Sequence, residues 1–218
     1  GVARRESQLV ATALDRLKAI EAGQGRFTDD EPFVVPGASF NGANNKFFSQ
    51  DTRFLSRTRK PYPLLHKDGV VTTQIVPTVR IPENMTPTTA SMAVGAFKTT
   101  VRRFLSSVAI RVGDDFAFNA DSITGVDWAS SYSAPVSSVR NVTVPLLTLG
   151  MTGHWEFLAA EGIFENARSS DKTIAFVEGA THGYTPCARC ETTPGQFGDT
   201  VKTTYDYVDG WLSKPGRF

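Results

Sequence analysis

Two short apolar runs, each stopped by a glycine, constrain this chain more than any other feature. The first is Val142-Thr143-Val144-Pro145-Leu146-Leu147-Thr148-Leu149-Gly150, and the second is Lys172-Thr173-Ile174-Ala175-Phe176-Val177-Glu178, cut off by Gly179. Neither alternates polar with apolar residues, so each reads as a strand buried on both faces, the kind found in parallel sheets. Between them, residues 155–168 place Phe157, Leu158, Ile163 and Phe164 on a helix. Residues 197–213 put Val201, Tyr205, Val208, Trp211 and Leu212 on one face of another. Strand, helix, strand, loop, helix is an α/β unit whose crossover is expected to be right-handed.

Upstream the pattern is weaker. Leu9, Ala13, Leu14, Leu17 and Ile20 recur at helical spacing among charged residues and end at Gly23 and Gly25, which predicts an amphipathic helix. Residues 27–87 are rich in Pro, Gly, Asn and basic side chains with scattered aromatics. That is too aromatic for a disordered linker and too long for a plain connection, so it reads as a packed, irregular insertion. Residues 70–81 are β-branched, but Pro77 confines them to an edge strand or an extended loop. Residues 97–112 fit a helix or a strand equally. The reading therefore has two parts, 1–140 as a helix plus irregular aromatic region and 141–218 as an α/β core.

A net charge of +1 gives no field that would draw this surface to nucleic acid. The stretch Arg53, Arg57, Arg59, Lys60 reads as side chains lying over a packed surface. No apolar run reaches the roughly 20 residues that span a bilayer. Asp29-Asp30-Glu31, Asp114-Asp115 and Asp121 read as solvated turns, since adjacent acids rarely converge on one cation. No metal and no cofactor is expected.

Cys187 and Cys190, the only cysteines, form a lone CxxC between Pro186 and Pro194. A local disulfide or two inert thiols is the favoured reading. A redox pair needs a helix start after a strand, and a structural zinc needs two more ligands, for which His154 and His182 are the candidates. Sequons at Asn84 and Asn141 allow an exported origin, and the second adjoins a strand expected to be buried. Gly1 in place of Met is what a processed product, a tag scar or a piece of a longer chain would show.

In open α/β sheets ligands bind beyond the carboxyl ends of the strands. Both loops there carry a histidine, His154 in Met151-Thr152-Gly153-His154-Trp155-Glu156 and His182 in Gly179-Ala180-Thr181-His182-Gly183-Tyr184. An imidazole on a small-residue loop suits a general base near neutral pH, and His182 is the leading candidate. His154 has an alternative packing role beside Trp155.

The order Val-Pro-Leu-Leu-Thr-Leu-Gly, helix, Thr-Ile-Ala-Phe-Val-Glu-Gly, Ala-Thr-His and final helix resembles the C-terminal third of an α/β-hydrolase over residues 141–213. The resemblance implies that the aromatic, loop-rich residues 27–140 are a cap and that His182 is the triad base of a serine-type hydrolase of carboxylic esters or, second, amides. Family members commonly carry an Asp after the penultimate strand. Here Glu156 is the only acid in that loop, so it is the candidate orienting acid. A first-turn glutamate favoured by the helix dipole is the rival reading.

No G-x-S-x-G elbow occurs. Ser39, in Gly37-Ala38-Ser39-Phe40-Asn41-Gly42, has its final glycine one position late. The nucleophile and oxyanion donors are therefore expected on a second polypeptide or a further N-terminal segment, with a hydrophobic ester-type molecule as substrate. Candidate substrate contacts are Trp155, His154, Phe40 and Phe48, although such aromatics equally build a cap's own small core. The competing functions are a non-catalytic binding module on a hydrolase-like shell and a CxxC-based redox or zinc protein.

Overall fold

The structure, a computed structural model, describes residues 1–23, 31–36, 52–81, 96–154 and 156–217. In chain order its main elements are α1 (Val2–Ala22), β1 (Pro32–Pro36), β2 (Arg57–Leu65), β3 (Val71–Pro77), β4 (Ala96–Thr100), β5 (Arg111–Phe118), β6 (Ile123–Asp127), β7 (Leu146–Met151), α2 (Phe157–Asn166), β8 (Lys172–Val177) and α3 (Thr200–Leu212). The architecture is mixed α/β, with a mostly parallel four-stranded sheet and small antiparallel sheets. Described residues within 1–47, 87–117 and 123–138 form one compact unit, and those within 48–86, 118–122 and 139–218 form another.

In the first unit α1 buries Val10, Ala13 and Ile20 with Leu9 and Leu17 beside them, while Leu14 turns outward. That stripe packs with Phe33 and Val35 of β1 and with Val101 and Phe104. The rings of Phe33 and Phe104 lie 4.5 Å apart. β1 and β4 pair antiparallel in register from Pro32 against Thr100 to Pro36 against Ala96. Residues 97–112, ambiguous in sequence, are in turn the strand β4, short helical turns over Val101–Arg103 and Phe104–Val108, and the start of β5.

The second unit carries the larger sheet, in the order β3-β2-β8-β7. β2, β8 and β7 run parallel, and β3 closes one edge antiparallel to β2. The two apolar runs are thus β7 and β8, aligned from Leu146 against Lys172 to Met151 against Val177. β2 lies inside the residues expected to be irregular. Its prolines, Pro61 and Pro63, disguise it, and a register shift against β3 between Arg57 and Pro61 accommodates them.

Other side chains satisfy the backbone groups this shift releases. The Thr58 hydroxyl accepts the Val76 N–H at 2.9 Å and donates to the Lys60 carbonyl at 2.7 Å. From α2, the buried Glu161 carboxylate accepts the N–H groups of Arg59 (3.0 Å) and Lys60 (3.3 Å). One face of the sheet packs Tyr62, Leu64, Val76, Ile174 and Phe176 with Phe157 and Ala160 of α2. Each fully buried phenylalanine there contributes about 1.5–3 kcal/mol.

The face of α3 differs from the expected one. Thr200 and Thr204 are buried and Trp211 donates through Nε1 to the Thr173 hydroxyl at 3.0 Å, whereas Tyr205 and Leu212 are exposed. Polar threonines at i and i+4 concealed this stripe. β7 starts at Leu146, leaving the Asn141 sequon outside the strand with Asn141 and Thr143 exposed. Asn84 lies outside the described residues. Arg59 and Lys60 pair with Glu165, and Arg57 lies 3.6 Å from Asp121. None of the described helices is long and apolar enough to cross a membrane.

Candidate active site

The carboxyl ends of three parallel strands coincide, because Leu65 of β2 pairs with Val177 of β8, and Val177 pairs with Met151 of β7. The residues that follow these ends come together at one edge of the sheet. After β7 the chain runs through Thr152, Gly153 and His154 to Glu156, which caps the N-terminus of α2. After β8 it turns at Gly179, whose φ of +72° suits only glycine, and a Cβ there would lie 1.9 Å from the Phe197 ring.

Backbone contacts lock the two loops to each other. The Gly153 N–H donates to the Ala180 carbonyl at 2.9 Å. A Cβ on Gly153 would stand 2.7 Å from that oxygen and 2.9 Å from Cys187 Cβ, so the approach requires a glycine. Thr181 and Thr185 then close a tight turn through both a backbone bond and their hydroxyls, each at 2.8 Å, and this turn displays His182. Beyond it, Cys187 and Cys190 form a disulfide buried against Phe197. Bonded sulfurs are not thiolates, which removes the cysteines as zinc ligands in this state.

Glu156 and His182, the acid and base singled out in the sequence, are adjacent, with Oε2 2.5 Å from Nδ1. The Glu156 side chain makes no capping bond to the helix it begins. It turns instead toward the two histidines, with His154 Nδ1 3.4 Å from the same Oε2. The imidazole rings of His154 and His182 have centroids 5.6 Å apart. His182 is 73% exposed, while the side chains of His154 and Glu156 are mostly covered.

Hydrogen bonding to His154 is the largest influence on the Glu156 carboxyl, and it outweighs burial. With the attraction of both histidines it holds the group below the usual carboxylate range. The anionic form of Glu156 is thereby favoured. Among the described residues, Nε2 of His182 has no hydrogen-bond partner.

A third histidine, passed over in the sequence, lies at the same sheet edge. His66 directly follows β2, with Nδ1 2.7 Å from Oε2 of Glu178 and Nε2 2.8 Å from the Thr72 hydroxyl. The only signal available was its place after Leu64-Leu65, and the strand itself had not been recognised. A cavity of about 540 Å³ opens beside it, lined in part by His66, Asp68, Asp199, Lys202, Asp206 and Tyr207. Trp155, Phe40, Phe48 and Ser39 lie outside the described residues.

No family model, curated protein or solved structure matches this chain.

Proposed function

We propose that this chain supplies the base and the orienting acid of a serine-type hydrolase acting on carboxylic esters, with an amide as the second choice. One observation carries the reading: the Glu156 carboxylate meets Nδ1 of His182 beyond the carboxyl ends of parallel strands, where α/β enzymes place their chemistry. The order of elements from β7 to α3, with its resemblance to the C-terminal part of an α/β-hydrolase, agrees with it.

In this reading Glu156 accepts the Nδ1 proton of His182 and fixes the tautomer, so that Nε2 faces outward as the base. His182 takes the proton of a serine hydroxyl as its oxygen attacks the ester carbonyl. It then returns that proton to the departing alcohol, leaving an acyl-enzyme that water hydrolyses by the same route. Glu156 remains ionised and stabilises the imidazolium that forms at each attack. The serine and the oxyanion donors come from a segment or chain beyond these residues, and the substrate is a hydrophobic ester. No cofactor enters the scheme.

The test is intact mass spectrometry of the complete protein, with all its native chains, before and after a fluorophosphonate probe. Uptake of one probe per active site, lost in His182→Ala, is the expected result. Absence of labelling overturns the hydrolase reading and favours a non-catalytic binding module on the same shell.

A further inference from the structure

We propose that His154, Glu156 and His182 together form a binding site for a divalent transition metal of the zinc and cobalt class. The inference goes beyond the hydrolase reading and does not depend on it. One ligating atom from each of the three side chains lies within 4.8 Å of the others. Two come from the loop after β7 and one from the loop after β8, and the backbone bond between Gly153 and Ala180 holds the loops together.

One of the distances already suits a small ion, and the other two need a small adjustment of the His182 ring. Ligand atoms bonded to tetrahedral Zn²⁺ at about 2.0–2.1 Å stand about 3.3 Å from one another. His154 Nδ1 and Glu156 Oε2 are already 3.4 Å apart. His182 Nδ1 is too close to Oε2 at 2.5 Å, as befits a hydrogen bond, and admitting an ion opens this gap by about 0.8 Å. The His182 ring, on the turn closed by Thr181 and Thr185, is the most exposed of the three side chains and the least confined by neighbours.

Donor chemistry selects the metal. Two imidazoles and one carboxylate suit Zn²⁺, Co²⁺ or Ni²⁺, whereas Ca²⁺ and Mg²⁺ call for six or more oxygens. Three protein ligands with an exposed side leave a position for water, the arrangement of an accessible site. With His182 bound through Nδ1, the ion replaces the Glu156–His182 hydrogen bond.

The test is Co²⁺ titration of the complete protein followed by visible absorption, with Zn²⁺ displacement measured calorimetrically. One ion per chain is expected, giving the intense visible bands of a low-coordinate Co²⁺. His154→Ala, Glu156→Ala and His182→Ala should each weaken binding at least about tenfold, the low end of what loss of even an outer-shell partner costs. His66→Ala, which alters the remaining histidine, should not weaken it. Absence of stoichiometric binding, or binding that survives His154→Ala, overturns the proposal. Probe uptake by the metal-free protein reads the hydrolase proposal separately, so the two fail independently.

Discussion

The Thr152 hydroxyl accepts a hydrogen bond from the N–H of Gly179 at 2.8 Å, although 27 residues separate them. Thr152 is fully buried, its N–H donates to the Val177 carbonyl, and its own carbonyl accepts from Val79 and from the Thr78 hydroxyl. This one residue ties the loop carrying His154 and Glu156 to the end of the strand that leads to His182. Thr152→Val keeps the shape and removes the acceptor, leaving the Gly179 N–H unpaired in the interior. The expected cost is about 1–3 kcal/mol of unfolding free energy. A urea midpoint equal to the parent's would show that the bond contributes nothing.

Gly153 makes a sharper prediction because no side chain fits there. Gly153→Ala drives a methyl group against the Ala180 carbonyl and Cys187 Cβ, so the loops must part. The separation should lengthen the Glu156–His182 contact and lower the proposed ester hydrolysis well before it unfolds the protein. Hydrolysis at parental rate with parental stability would contradict the account of how the loops are held.

Glu161 and Glu165, one helical turn apart on α2, should titrate in opposite senses. Burial raises the Glu161 carboxyl above its usual range despite the N–H bonds from Arg59 and Lys60. Burial also pushes on Glu165, but bonds and attraction from Lys60 and Arg59 outweigh it and leave that carboxyl low. A raised carboxyl contributes stability that fades as pH rises through its folded value, and a lowered one contributes stability that fades as pH falls. From about pH 4 to pH 7, Glu161→Gln should therefore gain on the parent in urea midpoint while Glu165→Gln falls behind. Parallel curves for both variants would refute the assignment.

The Cys187–Cys190 disulfide closes a very short loop, so its effect on the unfolded chain is modest, about 2 kcal/mol. The double variant Cys187→Ala, Cys190→Ala should lower stability by that order while leaving the Glu156–His182 pair assembled. A collapse of activity without loss of fold would instead make the bridge part of the site.

What the sequence disclosed follows from how each signal arises. β7 and β8 were legible because their runs are continuously apolar, although β7 lies at the sheet edge and is only partly covered, and α1 because Leu9, Ala13, Leu17 and Ile20 recur at helical spacing. Two strands alone could not make a covered sheet, and the missing partners were β2 and β3. β2 stayed hidden because Pro61 and Pro63 forbid a regular ladder, and the compensation comes from Thr58 and from Glu161, about a hundred residues away. His66 was lost with β2. Glu156 and His182 could be named from their loops, but their contact depends on the parallel register of β7 with β8 and on the Gly153 approach, which only the fold contains.

The account rests on His182 acting as a base held by Glu156. The most direct measurement is kcat/KM for an activated aryl ester in the complete protein, for the parent, His182→Ala and Glu156→Gln. Removing the orienting charge should lower kcat by about 10⁴-fold and removing the base by about 10⁶-fold, with little change in KM. Hydrolysis within a few-fold of the parent in both variants would contradict the central claim.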